Sequence, residues 1–209
     1  MATGLSRARF LRRGVVGGGA LLVAGSGLSG IPGVASAIGV ASAATPPPAG
    51  DLAYLRLLIA AELLALDFHD RALGSGKLKH PAAALARQIR ADEHDHYVRL
   101  AGLMVAAGQT PATAADIDFS YPAGSFAGQG SIVKLAEKLE RLLLGAYLGA
   151  AENVETPELR VPIGQIVANE AQHGSALAAL QGRPVIGKPF AAPPLQIAEV
   201  SNQLGVYES

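Results

Sequence analysis

The chain contains no cysteine. That absence excludes disulfides, thiolate zinc sites, iron–sulfur clusters and cysteine nucleophiles, so any metal must be held by carboxylate and imidazole. Aromatic residues are scarce, at 5%, and few stretches alternate with the period of two that a half-buried strand requires. Net charge is missing as well. With 17 basic against 17 acidic residues, nothing in the balance points to a nucleic-acid partner or a membrane-binding face. What remains is apolar: half of the 209 residues, rich in alanine and leucine. That is enough for one compact domain with a real core, and the pattern is all-α.

The first 43 residues have the composition of an export signal. Residues 6–13 read SRARFLRR, then comes a weakly apolar Gly/Ala run, then small residues at ASA (35–37 and 41–43). Ser6, Arg7, Phe10, Leu11 and Arg12 stand in the register of a twin-arginine signal, with Ala8 in place of the second arginine. The chain is therefore expected to be exported, to periplasm, cell wall or medium. The alternative is an uncleaved membrane anchor, which Gly17, Gly18, Gly19, Gly25, Gly30 and Pro32 make a poor spanning helix. Residues 44–50, ATPPPAG, read as a stiff linker into a domain over 51–181, followed by an arm over 182–209 that includes a short helix.

Four long helices are expected: about 51–73, His80-Pro81 to Gly108, Ser131 to Asn153, and Thr156-Pro157-Glu158 to about Gln181. The first and last connections are short, which makes two antiparallel hairpins. About 22 residues separate the hairpins, enough to run the length of a helix, so the third helix should lie parallel to the second.

The placement of charge within these helices is unusual. At 100° per residue, the first helix puts Arg56, Asp67, Asp70 and Arg71 on one arc, while Glu62 falls among Leu55, Leu58, Ala65 and Leu66, with His69 in line. The second puts Glu93 and His96 with Leu85, Ile89, Leu100, Leu103 and Met104. Glu140 shares the apolar stripe of the third helix with Val133, Ala136, Leu143 and Tyr147, although Glu137, about 60° away, is a rival. Glu170 and His173 share that of the fourth with Ile163, Ile166 and Leu177. An i, i+3 pair projects from one face, so each Glu-x-x-His can aim two ligands at one point.

The pattern is doubled. QIRADEHDH (88–96) and QIVANEAQH (165–173) match, and Glu62 precedes Glu93 by 31 residues much as Glu140 precedes Glu170 by 30. Each hairpin thus supplies Glu…Glu-x-x-His. Four buried carboxylates would repel strongly, and two divalent cations would balance them.

This order resembles the ferritin-like superfamily of di-iron and di-manganese carboxylate proteins, over roughly residues 51–181. The resemblance implies a four-helix bundle with one long crossover and two iron ions, or two manganese ions, inside it. It implies that Glu62 and Glu140 are terminal ligands, that Glu93 and Glu170 bridge, and that His96 and His173 bind one metal each. It also pairs Asp92 with His173 and Asn169 with His96 behind the ligands. The implied activity is oxidation of Fe²⁺ or reduction of dioxygen or peroxide. A manganese catalase-like dismutase and a metal-free envelope protein that keeps the fold are the alternatives. Self-association is left open. Cage storage is disfavoured, because Gly182, Arg183, Pro184 and a proline-rich tail follow the fourth helix. His69 and Tyr147, each seven residues after a core glutamate, either line the site or serve as hydrogen-bonded core residues. His94 and Asp95 fall on the solvated arc.

Overall fold

The computed structural model describes residues 47–186 and 192–208. The expected export signal, linker residues 44–46 and arm residues 187–191 and 209 lie outside the described residues. The helices are α1 (Ala49–Gly74), α2 (Ala82–Ala106), α3 (Gln129–Asn153), α4 (Pro157–Leu180) and α5 (Ile197–Leu204). The four long ones lie within a few residues of the expected spans, and α5 is the short helix expected in the arm. Among the described residues no helix is long and apolar enough to cross a membrane.

Helix ends follow from local chemistry. Gly108 and Gly182 adopt left-handed backbone (φ 71° and 66°) just beyond α2 and α4. There Gln109 N–H reaches the Met104 carbonyl and Arg183 N–H reaches that of Ala178, so carbonyls left over at each helix end are satisfied. At the start of α4, Thr156 holds the N-cap position but makes no side-chain cap bond. The chain there is fastened from α1: the buried Asp51 carboxylate accepts the N–H groups of Glu155 (3.0 Å) and Thr156 (2.8 Å), just ahead of the helix. The other hairpin has a counterpart, where Gln129 Oε1 at the start of α3 accepts Lys79 N–H at 2.9 Å, just before α2.

α1 packs on α2 and α3 on α4, and the two hairpins meet through α1–α3 and α2–α4 contacts. The crossover, residues 107–128, is fastened along α1. Tyr121 Oη donates to the Leu64 carbonyl (3.2 Å) and the Asp67 carboxylate (2.9 Å), and Arg71 donates to the Phe119 carbonyl (3.1 Å). Because the crossover returns to the far end, α3 runs parallel to α2.

The arm then lies back over the bundle. Leu195 N–H donates to the Gly145 carbonyl at 2.8 Å, and the arm backbone sits so close to α3 that a Cβ on Gly149 would be 1.9 Å from the Leu195 oxygen. Only glycine at that position lets the arm seat. Val200, Leu204 and Tyr207 are buried beneath it, and Ser120 N–H bonds the Tyr207 carbonyl, tying arm to crossover.

Candidate metal centre

Burial in this core is almost wholly apolar, and apart from Asp51 at the bundle's end the exceptions lie together. Glu62, Glu93 and Glu170 are 0% exposed and Glu140 is 2% exposed, with His69, His96 and His173 also buried. The helical period puts each in the interior stripe. Antiparallel pairing then brings the four stripes to one level of the bundle.

Two groups of ligand atoms result. Glu62, Glu93, His96 and Glu170 each offer an atom within 4.8 Å of the others, and so do Glu93, Glu140, Glu170 and His173. Glu93 and Glu170 belong to both, the arrangement expected of bridging carboxylates. Glu137, the rival on α3, points elsewhere, to Arg183 at 2.7 Å. His94 and Asp95 are exposed and face each other at 3.6 Å.

Both Glu-x-x-His imidazoles turn Nδ1 inward. His96 Nδ1 is 3.0 Å from Glu93 Oε2 and 3.2 Å from Glu170 Oε1. His173 Nδ1 is 3.2 Å from Glu140 Oε2 and 3.4 Å from Glu93 Oε1. Behind it, His173 Nε2 is 3.2 Å from Asp92 Oδ2, the pairing the sequence placed there. Such a carboxylate holds the ring with Nδ1 free to ligate. Among the described residues no hydrogen bond joins Asn169 to His96; Asn169 is half-buried on α4.

The residues seven places on cross between hairpins. Tyr147 of α3 donates its hydroxyl to Glu62 of α1. His69 of α1 brings Nε2 to 3.7 Å from Glu140 of α3. Each terminal glutamate is thus approached from the opposite hairpin, which neither helix pattern shows alone.

Without cations the cluster is electrostatically strained. Burial, then the nearby Glu93 charge, pushes the Glu62 carboxyl well above the ordinary range. Burial, then repulsion from Glu93, Glu140 and Glu62, does the same to Glu170. Burial would raise Glu93 too, but hydrogen bonds from His173 and His96 outweigh it and hold that carboxyl low. Burial opposes charge on His173, yet hydrogen bonds to Glu140 and Glu93 push its pKa up to about 10. In the metal-free protein, protons and an imidazolium therefore take the place of positive charge. Glu62 Oε2 and both Glu170 oxygens are buried with no hydrogen-bond partner. Orphaned carboxylate oxygens are costly in a core and are what a cation would satisfy, so the donor set fits two metal ions.

The class these features define is a helical-bundle protein with a carboxylate–histidine cluster that could hold two metal ions. The sequence match agrees: the ferritin-like domain family covers residues 50–183, and the chain belongs to that family. No curated protein matches the chain.

Two contributors escaped the sequence reading. Asp51, at the start of the first helix, is buried and stitches α1 to α4. The Gly145/Gly149 seat left a signal, two glycines four apart in a helix that otherwise favours large residues.

Proposed function

We propose that this protein is an exported di-iron oxidoreductase that oxidises Fe²⁺ at the expense of dioxygen or peroxide. The observation that carries the reading is the pair of four-residue ligand groups sharing Glu93 and Glu170. Two bound irons would supply two electrons, taking dioxygen to peroxide or peroxide to water as each passes from Fe²⁺ to Fe³⁺.

The protein's own groups support that role. Glu62 and His96 would hold one ion and Glu140 and His173 the other, with Glu93 and Glu170 shared. Tyr147 fixes Glu62, and Asp92 fixes the His173 ring so that Nδ1 keeps its lone pair for the metal. The apolar surround keeps bulk water away and strengthens every charge interaction inside. Carboxylate and imidazole also accept Mn²⁺, so the metal is a matter for assay. The signal-like residues 6–13 support export by the twin-arginine route, which would let a folded, loaded protein leave the cell.

The test is the metal content of the chain from about Ala44 onward, loaded anaerobically with Fe²⁺ or Mn²⁺, beside the double variant Glu93→Ala, Glu170→Ala. Two ions per chain, lost in the double variant, are expected, with oxygen or peroxide uptake by the iron form. No stoichiometric metal in the parent would remove the reading.

A further inference from the structure

The duplication gives the bundle an internal comparison. Matching Glu62 to Glu140 and Glu93 to Glu170 makes one end of the bundle the counterpart of the other, position by position. At the end where α1 and α4 finish, the wall next to the ligands is built from Ala136, Ala86, Ala82 and Val133. The matching positions at the opposite end are Leu58, Ile163, Leu159 and Leu55, all buried. His69 likewise stands where the opposite end has Tyr147. Phe68 against Ala146 runs the other way: its ring is buried, lines the same place and packs on Phe126, 5.7 Å away. Side chains trimmed to alanine on two helices, α2 and α3, leave a void unless something else fills it.

Nothing does. A small cavity of about 10 Å³ opens at that place. Half-buried Leu78, Leu85 and Leu180 form its rim, and it narrows inward to room for about one water-sized molecule. His69 is its only polar lining side chain. That imidazole is 2% exposed, its Nδ1 lacks a hydrogen-bond partner, and its Nε2 is 3.7 Å from Glu140. The cavity therefore has apolar walls that end on His69, and His69 alone separates it from Glu140 of the Glu140/His173 half.

We infer that this cavity is the port through which a small uncharged oxidant, dioxygen or hydrogen peroxide, reaches the cluster. The inference rests on the dimetal reading above. Apolar walls exclude a hydrated Fe²⁺ ion, whose shed water they cannot replace, and admit a neutral molecule of a few atoms. The oxidant thus meets the His69 and Glu140 side first, and the two halves of a doubled site have different tasks.

Xenon is the direct probe, because it occupies dry apolar cavities whether or not metal is bound. Crystals of the metal-free protein under xenon should show it beside Ala136 and Ala86. Ala136→Leu and, independently, Ala86→Ile restore the side chains of the opposite end and should abolish the xenon site. Loaded anaerobically with Fe²⁺ and mixed with dioxygen or with peroxide, both variants should keep the parent's iron content but react about tenfold more slowly or worse. Slowing with only one of the two identifies the oxidant. Absence of xenon from the parent's cavity, or parent-like rates with both oxidants in a variant that has lost xenon, overturns the port. Xenon bound with no iron taken up overturns the dimetal reading instead.

Discussion

Replacing Glu170 by glutamine should stabilise the metal-free protein and abolish its stabilisation by metal. Glu170 is fully buried, neither of its oxygens has a hydrogen-bond partner, and burial together with three neighbouring glutamates holds it protonated. In the unfolded chain the same carboxyl ionises near its ordinary pKa. Keeping it neutral in the fold costs about 1.4 kcal/mol for every pH unit between the two. Glutamine has the same shape and nothing to ionise, and its amide can donate to the surrounding carboxylates. Substituting uncharged residues for buried charges gains about 1–4 kcal/mol. An isostere that keeps a buried amide should fall in the lower half, on the order of 2 kcal/mol. With metal the order should invert. The parent gains about 2.7 kcal/mol at a hundredfold excess of metal over Kd, while the variant lacks a residue shared by both ligand groups. Urea denaturation followed by circular dichroism, near neutral pH with chelator and again with anaerobic Fe²⁺, reads both numbers. A variant less stable than its parent in chelator would refute the reasoning. It would show Glu170 satisfied within a hydrogen-bonded core that has no need of cations.

The metal-free protein should lose stability as pH rises from about 5 to 9. Glu62 and Glu170 keep protons that the unfolded chain has released above its ordinary carboxyl pKa. The His173 contribution is complete below its unfolded pKa of 6.5 and is lost as pH climbs through about 10. Thermal melts with chelator across that range check the slope, which bound metal should flatten. Asp92→Ala should weaken metal binding about 10- to 100-fold by freeing the His173 ring, as read by competition with a chromophoric chelator. Gly149→Ala should cost about 2–3 kcal/mol, since its Cβ would meet the Leu195 oxygen at 1.9 Å and lift the arm. Gly164→Ala, a helical glycine on α4 with nothing within 4 Å, should instead gain about 0.4–1 kcal/mol in the same urea titration.

Much of the site was legible because helical periodicity is local. A glutamate at an apolar position can be seen from the few residues on either side, and the doubled Glu-x-x-His set the register between hairpins. The rest depends on what another segment does. Asp51 opens α1, and its role shows only where α4 begins beside it. Thr156 holds the N-cap position of α4, yet the bond that fastens it there comes from Asp51, a hundred residues away in sequence. Ala136 and Ala86 are unremarkable helix formers, and they become informative only when set beside Leu58 and Ile163 across the duplication. Asn169 shows the converse: a sequence correspondence with Asp92 does not oblige a matching contact.

The two end stitches have a consequence for the history of the chain. Asp51 of the first hairpin holds the second at Thr156, and Gln129 of the second holds the first at Lys79. Each half grips the other by the same handshake at opposite ends, and each supplies three of the six ligand side chains. Such a molecule is two interlocked halves, in which the crossover supplies none of the buried Glu and His side chains of the cluster. An ancestor with one hairpin per chain, associating as a symmetric pair, would have had two identical ends. Fusion of such a pair would leave the copies free to diverge, and His69 opposite Tyr147 is where the two halves differ beside the candidate ligands.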